Sequence, residues 1–74
     1  MKLLEALDII EAAIAKRVLM GDSSFALEVS SDLRPQDDGT FKPTYDAGIK
    51  YVCYGDIAPT IELALINLAK EIPR

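Results

Sequence analysis

Apolar residues in the first quarter of the chain recur every three or four positions: Leu3, Leu7, Ile10, Ile14 and Val18 form one stripe, flanked by Leu4, Ala6 and Ala13. That period predicts an amphipathic helix over residues 2–20, with Lys2, Glu5, Asp8, Ala12 and Lys16 toward solvent and Gly21 placed for a left-handed C-terminal cap. After a turn at Asp22-Ser23-Ser24 the period drops to two. Phe25, Leu27 and Val29 alternate with Ala26, Glu28 and Ser30, which predicts a half-buried strand.

A second alternating run over residues 45–54 puts Tyr45, Ala47, Ile49, Tyr51 and Cys53 on one face and Lys50, Val52 and Tyr54 on the other. Between the two runs, Pro35, Pro43 and Asp37-Asp38-Gly39 carry turn and loop chemistry, so residues 34–44 are predicted to form a flexible loop with at most a short strand at 40–42. Gly55-Asp56 ends the second run. Asp56 is placed to cap a final helix with Pro59 in its first turn, running to residue 71, with Ile57, Ile61, Ala64, Leu65, Leu68 and Ile72 as its core stripe and Pro73 closing it.

Two amphipathic helices and two strands need one apolar sheet face, and Glu28, Ser30, Asp32 and Lys50 make the other face polar. The expected fold is therefore an α+β two-layer sandwich in the order helix, strand, short strand, strand, helix, with a small antiparallel sheet and both helices on one face. All 74 residues form a single expected domain. No internal repeat and no low-complexity segment interrupts it.

Composition narrows the chemistry. Twelve acidic residues against eight basic ones give a net charge of −4, which repels a phosphate backbone and argues against nucleic acid as a direct partner. There is no histidine and one cysteine, Cys53, which removes an intramolecular disulfide, the His-based triads and the usual zinc sets, and fits a reducing cytoplasm. Cys53 falls in the core-facing row of its strand and reads as a small buried hydrophobe. Asp37-Asp38-Gly39 fails as a calcium loop: with Gly39 at position six, Arg34 stands at position one and Tyr45 at position twelve, where carboxylates are required. It reads as a turn. The four glycines are scattered, so no phosphate-binding loop is present. No catalytic, metal or cofactor site is expected, and Glu5, Asp8 and Glu11 break the only N-terminal apolar run before it reaches signal-peptide or membrane-span length.

What remains is apolar surface beyond the core stripes. Ile9 and Leu19 on the first helix, Leu63 and Ile66 on the last, and Val52 and Tyr54 on the outer sheet face are the candidate interface residues. They point to a small acidic protein-binding module, an accessory or inhibitor protein acting through an apolar helix face, or alternatively to a structural or regulatory homo-oligomer without enzymatic activity.

The element order resembles that of double-stranded RNA-binding domains, which grip phosphate through a lysine-rich start to the last helix. Residues 56–62 hold no basic residue, so RNA binding does not carry over. Arg17-Val18-Leu19-Met20-Gly21 at the end of the first helix, and Asp56-Ile57-Ala58-Pro59 followed by Ala64-Leu65 in the last, resemble small phage and prophage proteins of the phage ABA sandwich domain type. That resemblance implies a phage-encoded accessory protein of uncharacterised activity and supplies no site residues.

Overall fold

The computed structural model describes residues 1–19, 27–50 and 52–73, without the side chains of 17–19. The expected Gly21 cap, the Asp22-Ser23-Ser24 turn, the Phe25 start of the first strand and Tyr51 lie outside the described residues. The element order is α1 (Leu3–Leu19), β1 (Leu27–Pro35), β2 (Phe41–Ile49), β3 (Cys53–Tyr54) and α2 (Ile61–Glu71). The three strands form an antiparallel sheet in the order β1-β2-β3, and the protein is an α+β fold.

The core lies where α2 packs on β2 and β3, with α1 alongside α2. Ile49, Leu68 and Ile10 are its large fully buried side chains, one each from sheet, second helix and first helix. Ala6, Ala47, Ala58, Ala64 and Ala69 fill the rest, so the layers meet through small residues at close range. Gly55 takes this furthest. Its N–H donates to the Ala47 carbonyl at 2.9 Å, and its Cα lies directly against the backbone of α2 at Asn67 and Leu68.

The hairpin of β1 and β2 replaces the flexible loop expected over residues 34–44. β1 continues through Pro35, β2 begins at Phe41, and the register pairs Leu33 with Pro43 and Pro35 with Phe41. Both prolines are tolerated because of parity. The N–H and C=O of Tyr45 bond to Ala58 at 2.8 Å, on the β3 side, so odd residues of β2 face away from β1 and even ones face it. Pro43 therefore lacks its N–H on the side where no ladder runs, and Pro35 lacks its own on the outer edge of β1.

The turn itself is Asp37-Asp38-Gly39, as its sequence predicts. The Gln36 N–H donates to the Thr40 carbonyl at 2.7 Å, the Gly39 N–H donates back to the Gln36 carbonyl at 3.1 Å, and Gly39 has φ of 84°. This is a three-residue hairpin loop with glycine in the left-handed position. The Asp38 carboxylate accepts from the Thr40 hydroxyl at 2.6 Å and the Thr40 N–H at 3.0 Å. Those bonds, the hydroxyl first, hold the Asp38 carboxyl below the usual aspartate range. A depressed carboxyl contributes to the folded turn above its unfolded pKa, and the contribution disappears as pH falls through the folded one. The Thr40 amide shift should accordingly titrate with an inflection below that of an unstructured aspartate, and Asp38→Asn should abolish the inflection.

Two further expectations are corrected. Residues 45–54 do not form one strand: the Val52 N–H donates to the Ile49 carbonyl at 2.9 Å, turning the chain so that Cys53 pairs back with Ile49. The last helix starts at Ile61 and is capped by Thr60, whose hydroxyl accepts from the Leu63 N–H at 3.2 Å, worth about 1 kcal/mol. Asp56 is not the cap, because the pair of reciprocal backbone hydrogen bonds between Ala58 and Tyr45 holds this segment extended, as does Pro59 directly after Ala58. Ile57 and Ile61 consequently stand at the margin and are about half exposed.

Candidate interaction surface

Alternation sorts the hairpin into two faces. Leu27, Val29, Ser31, Leu33 and Pro35 of β1 stand opposite Ile49, Ala47, Tyr45, Pro43 and Phe41 of β2, an almost wholly apolar face. Glu28, Ser30, Asp32 and Arg34 stand opposite Gly48, Asp46, Thr44 and Lys42 on the polar face. The helices cover the apolar face only at its base, where Ala47 and Ile49 are buried and Tyr45 packs against the core. Toward the tip the same face is bare: Leu33 and Phe41 are each 64% exposed.

β1 is exposed at every one of its nine residues. Leu27 and Val29, expected to be half-buried, are open because α1 packs against α2 and neither helix covers the first strand. The outer edge of β1 pairs with no strand among the described residues. Since even residues of β1 face β2, the backbone groups of Leu27, Val29, Ser31 and Leu33 point outward. Among the described residues the Leu33 N–H donates to its neighbour's Asp32 carboxylate at 2.9 Å.

The hairpin gives the molecule its shape. The extents are 48 × 25 × 15 Å and the radius of gyration is 13.8 Å, against about 11 Å for a compact chain of this length. The accessible surface is 5211 Å², whereas a folded monomer of this mass exposes about 4,500 Å².

The six residues selected from sequence do not form one patch. Ile66 is buried in the core, so its assignment to the interface is corrected: α2 has the sheet beneath it and α1 at its side, and this second neighbour buries a flank that a single-face helix would expose. Ile9 and Val52 are half-buried against the same core and meet in an apolar groove of about 300 Å³ that also includes Ala13, Ile72 and Pro73, with Lys16 at its wall. Tyr54 is exposed, with its ring laid over Gly48, and Leu63 is exposed. The Leu19 side chain lies outside the described residues. Leu33, Phe41 and Pro43 were missed because prolines and the Asp-Gly pair mark their segment as a loop. The available signal was that Leu33 continues the odd-numbered apolar row of Leu27 and Val29.

Among the described residues no three His, Cys, Asp or Glu side chains are grouped closely enough to hold a metal ion. No helix among them is long and apolar enough to cross a membrane. Compared with protein-family models, curated proteins and solved structures, the chain matches none, so the functional reading rests on the geometry of the hairpin face and edge.

Proposed function

We propose that this chain is a small acidic protein-binding module, an accessory or inhibitor protein without catalysis, whose docking surface is the hairpin arm and not the helix face. One observation carries the reading: a nine-residue strand is exposed on both faces while keeping an apolar alternation interrupted only at Ser31. Apolar rows on a strand stabilise a fold only when covered, and here the chain's own helices leave the row bare. A small accessory protein is also the class implied by the resemblance to phage ABA sandwich proteins.

The test is site-specific photo-crosslinking in cells of the source organism, with benzoylphenylalanine replacing Leu33 on the arm or Leu4 on α1, which is 77% exposed. The expected result is an adduct of defined mass from Leu33 and none from Leu4. Absence of adduct at Leu33, or equal labelling at both sites, would remove the reading. Leu33→Lys should leave stability within about 0.5 kcal/mol and still abolish association, because the side chain is already in solvent.

A further inference from the structure

Resting on the reading of the hairpin arm as the docking surface, we propose that its occupant is a second copy of this chain. The two β1 strands pair edge to edge, antiparallel about a two-fold axis at Ser31, to make one continuous six-stranded sheet. Three observations select this partner.

The first is the charge order along β1, which is self-complementary when reversed. With Ser31 opposite its own counterpart, Val29 meets Leu33 on the apolar face, Ser30 meets Asp32, and Glu28 meets Arg34 on the polar face. Each pairing occurs twice by symmetry. The two neighbouring registers that keep outward backbone groups facing each other are worse. One sets Glu28 against Asp32, the other sets Asp32 against itself, and like charges directly opposite are destabilising. Registers shifted by a single residue put outward backbone groups against inward ones and reverse the faces.

The second observation is that the charges are poised for a partner. Arg34 stands directly opposite Lys42 within the hairpin, a like-charged pair, and Glu28 stands opposite Gly48. A carboxylate arriving next to Arg34 relieves the first and uses the second. The third is the open edge: β1 is the outer strand of the sheet and pairs with no strand on its far side among the described residues. Pairing also satisfies the outward N–H and C=O groups of Val29 and Ser31, and Pro35, which has no N–H, ends the ladder at either side.

The experiment is light scattering coupled to size exclusion over a concentration series, on the full chain and on Glu28→Arg and Arg34→Glu, with circular dichroism confirming that both exposed-site variants fold. Expected are a wild-type dimer, at least roughly tenfold weaker association for each variant alone, and recovery of the dimer when the two variants are mixed, since the mixture restores both opposite-charge pairs. A wild type that stays monomeric up to millimolar concentration overturns self-pairing. So does a dimer indifferent to both variants, which would use another surface. If the wild type is monomeric while Leu33 still crosslinks to a protein of different mass, the arm is a docking surface and only its occupant is wrong. If Leu33 also yields no adduct, the broader reading fails with it.

Discussion

Gly55→Ala should destabilise this protein far more than the same change at Gly39 or Gly48. A Cβ at Gly55 would lie 2.5 Å from the Leu68 nitrogen and 2.8 Å from the Leu68 Cα and the Asn67 carbonyl carbon. All three are backbone atoms in the middle of α2, so no side-chain rotation relieves the clash. The helix and β3 must separate, and that pulls fully buried Leu68 from the core and strains the Gly55 bond to Ala47. Overpacking of this kind costs about 3 kcal/mol or more where the neighbours cannot yield. A domain of this length has only about 4–11 kcal/mol in total. The melting temperature should fall by more than about 12 °C.

Gly48→Ala provides the contrast. There the added methyl meets the ring of Tyr54, a side chain 56% exposed and able to swing into solvent, so the cost should stay near 1 kcal/mol. Urea denaturation of the two variants with unchanged slope would check the difference. Equal midpoints would mean that α2 does not sit on Gly55 as closely as described.

Sequence patterning reads local period well and layer contacts poorly. The 3.6-residue stripe of α1 and the alternation of Tyr45, Ala47 and Ile49 are both present as expected, because each reflects a side chain's own position on one element. What the pattern cannot carry is which neighbour covers which strand. Leu27 and Val29 alternate like buried residues and are exposed, since nothing local to β1 records that α1 packs beside α2. The proline-flanked turn shows the same limit from the other side. Pro35 and Pro43 are loop markers until the register is known, and only then does it emerge that both place the missing N–H where no ladder bond is lost. The interaction surface shows the same limit: the sequence places surplus apolar residues on the helices and at Val52 and Tyr54, whereas Leu33, Phe41 and Pro43 stand bare on a segment that composition marks as a loop.

Ile66 and Leu63 test this lesson most directly, because the sequence pairs them and the fold separates them. Both lie off the main stripe of α2, yet Ile66 is 8% exposed and Leu63 is 44% exposed. Ile66→Lys removes a buried aliphatic side chain and brings an ammonium group into a position that belongs to the buried apolar core. Loss of the aliphatic contacts alone costs about 2–5 kcal/mol, and the charge adds to it unless the long stem reaches water. The variant should therefore be largely unfolded or shifted by at least about 3 kcal/mol in urea. Leu63→Lys keeps a good helix former at a solvent position and should move the midpoint by less than about 0.5 kcal/mol. If the two were equally benign, Ile66 would belong to an open helix face after all and the side-by-side packing of α1 and α2 would be wrong. If Ile66→Lys alone collapses the fold, any loss of association in that variant reports unfolding, and Glu28, Leu33 and Arg34 become the positions at which binding can be altered without touching the core.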